Sequence, residues 1–281
     1  RELRPALRQG RRRVSATLTI LGCGSSGGVP RIGPDGVAQW GACDPGDPRN
    51  ARRRCSVLVT RRGVGGTTRV LVDTSPDLRA QLLDAGIGQL DAVLYTHPHA
   101  DHVHGIDDLR LVVHNMRGRL PVWADAPTSA QLRSRFGYAF ETPPGSGYPP
   151  ICDLRLIEGP VTVEGSGGPL RFVPFEVEHG SIPALGFRIG DLAYLPDVSA
   201  IPAAAWPALD GIGCFVVDAL RYKPHPTHAH LDLALEWIAR SRAPRAVITN
   251  MHLDLDYRTL AARLPAGVVP AHDGLRIAFE P

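Results

Sequence analysis

The stretch YTHPHADHVHG, residues 95–105, holds four of the chain's eleven histidines and one aspartate. Imidazole nitrogens and carboxylate oxygens are the ordinary ligands of zinc and similar divalent ions. His97 and His99 are two residues apart, so extended backbone would project both to one side. Asp101 and His102 fall on the turn that follows and can face a second position. This spacing suits two neighbouring ions better than one. Two ions about 3.5–4 Å apart can hold a hydroxide between them and clamp a displaced phosphate oxygen. His104 and His114 do not extend the spacing and read as structural.

Such a cluster needs rigid elements behind it. The apolar run before it, residues 91–95, reads as a short buried strand. Strands are also expected over 14–21, 56–60, 68–73, 121–123, 154–157, 170–178, 185–189, 213–218, 246–249 and 275–279. Residues 76–86 read as a helix with proline in its first turn and glycine at its end. Further helices are expected over 126–136, 231–240 and 256–264. Residues 29–54 show no periodicity, and a loop of that length inside a compact domain is usually functional. Strands followed by helices, twice over, predict two packed sheets with helices outside. No linker interrupts residues 14–281, which are expected to form one domain.

The composition narrows the classes. Hydrophobic residues make up 43% and charged residues 21% of the 281 positions, as in ordinary globular domains rather than disordered chains. No apolar run reaches the length of a membrane span, and no secretory signal is seen. The formal charge is +3, but the first thirteen residues carry six arginines against one glutamate. The remainder is slightly acidic, which argues against a body built to grip nucleic acid. Residues 1–13 read as a disordered basic tail. Cys23, Cys43, Cys55, Cys152 and Cys214 show no paired spacing, so no disulfide framework is expected and the compartment reads as the cytoplasm.

THPHADH resembles the H-x-H-x-D-H signature of the metallo-β-lactamase superfamily. The resemblance covers nearly the whole chain from about residue 14. It implies an α/β (α+β) fold: an αββα sandwich of two mixed sheets flanked by helices, with metals at one edge. It implies two divalent ions, Zn2+ or Mn2+. It also implies further residues at strand ends, and each has a counterpart here: Asp73 in VLVDTSPDL, His179 in FEVEHG, Asp197 in LAYLPDVS and His252 in AVITNMH. His97, His99 and His179 would hold one ion. Asp101, His102 and His252 would hold the other, with Asp197 between both. Asp73 would orient the cluster from behind. Relatives often carry the last histidine directly after a threonine; here that position is Asn250, and the histidine follows two residues later. Asparagine can bind a metal through its carbonyl oxygen, so Asn250 and His252 both stand as candidates.

Within the superfamily, LGCGSSGGVPRIG, WGACD, RRRCS, SPDLR and HGIDDLR resemble the PhnP-like phosphodiesterases. RYKPHPTHAHLDLALEWI adds an H-x-x-L stretch, matched by His228 and Leu231. His228, or alternatively His230, could stabilise phosphoryl oxygens or protonate a leaving alkoxide, and Asp101 joins them as a candidate catalytic residue. His225 is a weaker candidate. PhnP-like relatives gather three cysteines after the W-G pair for a structural zinc; only Cys43 is present here, so the long loop must be held otherwise. The turn 22–28 could cradle an anion or be a tight strand exit. Arg31 and Arg52, Arg53 and Arg54 could meet a phosphate.

The expected function is hydrolysis of a small cyclic phosphate or nucleotide phosphodiester through a hydroxide between two metals. The alternatives are a ribonuclease Z-like tRNA endonuclease, a PqqB-like oxidative protein and a metal-binding protein whose partner supplies the function. The expected partner is a small phosphodiester substrate, with nucleic acid disfavoured, no membrane and a homodimer allowed.

Overall fold

A computed structural model describes residues 16–281. The basic tail and the first two residues of the 14–21 strand lie outside the described residues. The strand Ala16–Gly22 shows why these segments form sheets. Ala16, Leu18 and Ile20 are buried on one face, while Thr17 and Thr19 alternate with them on the other.

Two seven-stranded sheets carry the molecule. The first pairs Ala16–Gly22 with Arg276–Phe279 and Ser56–Gly63, all antiparallel. It continues antiparallel to Gly66–Val72, then parallel through Ala92–Leu94 and Leu120–Ala124 to Cys152–Leu156. The second runs antiparallel from Val161–Val163 through Leu170–His179 and Ile182–Ile189 to Leu192–Leu195. From there Cys214–Asp218, Ala246–Thr249 and Val268–Pro270 are all parallel. Both sheets are therefore mixed, as expected. One apolar cluster joins residues of both sheets, such as Leu18, Val72, Phe172 and Phe187, with Leu231, Trp237 and Leu260 of two helices. A second joins the first sheet to the helices Leu78–Ala85, Leu109–Met116 and Ala126–Phe136.

The parallel segments decide where the site lies. In each sheet their carboxyl ends point the same way, so residues just past those ends collect at one edge. Asp73, Thr96, Asp197, Asp218 and Asn250 all stand at or just beyond such ends. A hydrogen bond from Leu185 N–H to the Thr96 carbonyl ties the two sheets together there (2.9 Å).

Local details follow the chemistry of the residues. The helix Leu78–Ala85 ends on Gly86 in the left-handed region (φ 66°), as the sequence predicts. The helix Ala126–Phe136 starts on Asp125, whose carboxylate accepts from Thr128 N–H. The short helices Ala100–Val103 and Leu109–Met116 are additions to the elements expected from the sequence.

The long loop is held without a cysteine cluster. Arg52 is buried at 2% exposure and donates to Asn50 Oδ1, Leu255 O and His252 O, with Cys43 Sγ 3.8 Å away. Asp47, equally buried, binds Arg49 and Arg258, which hold its carboxyl well below the usual range. Arg52 thus serves the loop rather than a phosphate, and Arg53 and Arg54 pair with Asp84 and Asp77. The turn at 22–28 is a strand exit. The N–H groups of Gly24, Ser25 and Gly28 are all used by backbone carbonyls, and a Cβ on Gly22 would meet Arg54 O. Among the described residues, no helix is long and apolar enough to cross a membrane.

Candidate active site

The strand Ala92–Leu94 delivers Thr96 and His97 to the edge between the sheets, and the turn after it brings His99. The strand Leu170–His179 ends on its own contribution, His179. Asp197 follows Leu192–Leu195. Ligand atoms of these four residues, His97, His99, His179 and Asp197, all lie within 4.8 Å of one another. His99 Nδ1 is 3.1 Å from both His97 Nε2 and His179 Nε2. His97, His179 and Asp197 are buried, and His99 is exposed at the mouth.

Hydrogen bonds fix which nitrogens face the centre. His179 Nδ1 donates to Thr227 O (2.7 Å), leaving the Nε2 lone pair free. Thr96 Oγ1 donates to Asp73 Oδ2 (2.8 Å), so it accepts from His97 Nδ1 (2.9 Å). His97 Nε2 is then also a lone pair. Burial lowers the pKa of all three histidines, well below its ordinary value for His97. Neutral imidazole is the form that binds a metal.

His102 occupies the other side of Asp197. Its Nδ1 bonds Asp73 Oδ2 (2.8 Å). Its Nε2 is buried without a directed hydrogen bond, 3.3 Å from Asp197 Oδ1 and 3.6 Å from Asp101 Oδ2. Burial alone would lower its pKa, but the charges of Asp197, Asp73 and Asp101 raise it well above the ordinary value. A fully buried ring nitrogen facing two carboxylates and lacking a directed hydrogen bond is a group that a divalent ion would satisfy. Burial raises the Asp197 pKa, yet His102, His97 and His228 reverse this and keep it ionised. The donor set of imidazoles and carboxylates thus fits the metals that the sequence predicts.

Asp73 lies behind this arrangement. It is fully buried, sits at φ 64°, and accepts from Thr96 N–H and Thr96 Oγ1 as well as from His102. It therefore orients His102 directly and His97 through Thr96.

Two residues join the site in ways the sequence alone does not assign. Asp218 ends the strand Cys214–Asp218, is fully buried, and accepts from His228 Nδ1 at 3.0 Å. Its signal is an aspartate closing an apolar strand, the pattern shared by Asp73 and Asp197. Asn250 (φ 58°) donates from Nδ2 to both Asp197 Oδ1 and Asp218 Oδ1 (3.2 Å each). Burial lowers the His228 pKa, but the hydrogen bond and charge of Asp218 outweigh it and raise it to about 9. Burial pushes the Asp218 carboxyl up to about 7.

Other candidates fall outside this grouping. His252 is not among the four clustered ligand residues; its Nδ1 lies 3.2 Å from Asp254 Oδ1. His230 begins the helix Leu231–Ser241 with its backbone and makes no side-chain capping bond. His225 lies near His228, 5.2 Å between ring centroids with the rings tilted at 51°. Arg31 bonds Ser25 Oγ. His104 and His114 are exposed and lie outside the clustered ligands.

Residues 68–251 match the family of the beta-lactamase superfamily domain. The chain is 38% identical to the solved structure of a diphosphatase from the PhnP family, covering 94% of this chain and 97% of that one with a TM-score of 0.81. It is 34% identical over 264 residues to an octanoyltransferase of Porphyromonas gingivalis, covering 93% of this chain and 51% of that protein. It is 30% identical over 148 residues to a ribonuclease Z of Methanopyrus kandleri, covering 50% of this chain and 46% of that protein. The chain thus spans about half the length of the curated relatives it matches.

Proposed function

The chain belongs to the beta-lactamase superfamily, and from that premise we propose that it is a metal-dependent hydrolase of small phosphodiesters or diphosphates. The observation that carries this reading is the Asp197 carboxylate. One oxygen faces His97 and His179 (3.7 and 3.5 Å), and the other faces His102 (3.3 Å). Divalent ions held by His97, His99, His179 and Asp197, and by Asp101, His102 and Asp197, would supply Lewis acidity and a water made acidic enough to attack near neutral pH. The chain's own residues do the rest. Asp73 and Thr227 O hold the ring tautomers, and burial keeps the first three histidines neutral.

His228 is the proton donor of the reading. Asp218 takes its Nδ1, so Nε2 is the nitrogen left for substrate, and the ring remains protonated at neutral pH. A proton passed to the departing oxygen matters most when that oxygen is a poor leaving group. His228→Ala is therefore expected to slow hydrolysis of a 2′,3′-cyclic nucleotide by about 10²–10⁴-fold, and that of a nitrophenyl phosphodiester far less, with metal content unchanged. Equal losses on both substrates would remove His228 from this role. The likeness to a diphosphatase favours small substrates. The ribonuclease Z relative favours tRNA as a second reading. Cleavage of a tRNA precursor without turnover of cyclic nucleotide would decide for the second.

A further inference from the structure

The two oxygens of Asp197 face unequal surroundings. On the Oδ2 side stand the three imidazoles His97, His99 and His179, a complete set of four ligands with the carboxylate itself. On the Oδ1 side stand only His102 and, beyond it, Asp101. The remaining neighbour of Oδ1 is the Asn250 amide, whose NH2 the two carboxylates favour on this side although it also lies 3.2 Å from His228 Nδ1. Its NH2 group lies 3.2 Å from two carboxylate oxygens, Asp197 Oδ1 and Asp218 Oδ1. Turning the amide over would set its carbonyl oxygen against both carboxylates, while leaving it as found puts that oxygen against Cys55 Sγ (3.8 Å). An amide NH2 has no lone pair to offer a metal. It also occupies a lone pair of the oxygen that the second ion would need. His252 is not among the four residues whose ligand atoms cluster, and the carboxylate nearest its Nδ1 is Asp254 (3.2 Å).

We propose that the chain holds one ion tightly, on His97, His99, His179 and Asp197, and a second one loosely, on Asp101, His102 and Asp197. Asn250 is the residue that makes the second position weak and exchangeable. The second ion would then load from the surrounding free metal, and activity would follow free metal concentration in a range where the first site is already full. The inference rests on the divalent-metal part of the proposed function. Counting ions needs no substrate, so failure of the phosphodiester reading would leave it standing.

The experiment strips the full chain of metal and titrates it with Zn2+ against a competing chelator. Retained ions are counted by mass spectrometry after gel filtration. One ion per chain is expected to survive filtration, with the second bound at roughly 100-fold higher free zinc. Asn250→His is expected to retain two, and His252→Ala to retain one. Two ions of equal affinity on the unaltered chain would overturn the inference, as would loss of an ion in His252→Ala. The count on the unaltered chain decides by itself if Asn250→His fails to fold, and Asn250→Asp, which adds a carboxylate at the same place, gives a second route to a gain.

Discussion

Asp197→Ala is expected to lower kcat/KM on any substrate of this site by about 10³-fold or more, and to empty both metal positions together. The carboxylate is the one group that touches every part of the site. His97, His102, His179 and His228 all lie within 4 Å of its oxygens, and Asn250 donates to it. On the proposed reading its loss would remove a ligand from each ion and leave His102 with one fewer of the charges that surround it. The backbone should tolerate the change, because Val198 N–H bonds Asp218, and the apolar strands beneath are untouched. Circular dichroism should therefore remain that of the parent while metal content falls. An alanine variant that retained both ions would show that Asp197 is not the shared ligand.

The second large effect is expected at Asp73. Asp73→Ala leaves Thr96 N–H and Thr96 Oγ1 without their acceptor in a fully buried place and strips His102 of its charged partner. Breaking a buried pair from one side costs about 3–5 kcal/mol, so thermal unfolding should move down by many degrees. Asp73→Asn separates folding from function. Asparagine, like aspartate, tolerates the left-handed backbone found here (φ 64°). It retains one acceptor but presents an N–H toward His102 Nδ1. That pushes the ring proton onto Nε2, where the metal should bind. Metal affinity is then expected to fall by about 10–100-fold, with a smaller loss of stability than in the alanine variant. Chelator competition and thermal unfolding, measured on both variants, check this. An asparagine variant that unfolds early but binds metal at the parent affinity would make Asp73 a packing residue only.

Much of the site is legible in the amino-acid sequence because its parts have local signals. Apolar alternation marks the strands, and chemistry-bearing residues mark their ends, as Asp73, His97, His179 and Asp197 all do. The dense spacing from His97 to His102 needs no tertiary knowledge. Asp218 carries the same strand-end signal, but its role is not legible for a physical reason. Its importance arises only when parallel pairing sets Cys214–Asp218 between Leu192–Leu195 and Ala246–Thr249, which places its carboxylate beside His228. The choice between Asn250 and His252 depends on a single backbone turn. Asn250 adopts the left-handed conformation with its side chain on Asp197 and Asp218, whereas His252 lies beside Asp254. Arg52 misleads in sequence for a similar reason. It belongs to a run of three arginines that could meet a phosphate, yet it is buried because the loop needs donors for three oxygen acceptors.

Loaded with divalent metal, this cluster of histidines and aspartates should hydrolyse phosphate esters. The decisive experiment takes protein stripped of metal, reloads it separately with Zn2+ and Mn2+, and follows cleavage of an aryl phosphodiester and a 2′,3′-cyclic nucleotide, with His99→Ala in parallel. Cleavage that appears on reloading and is lost in His99→Ala is the expected result. Absence of cleavage on both substrates, with metal demonstrably bound to the parent chain, would refute the small-phosphodiester assignment.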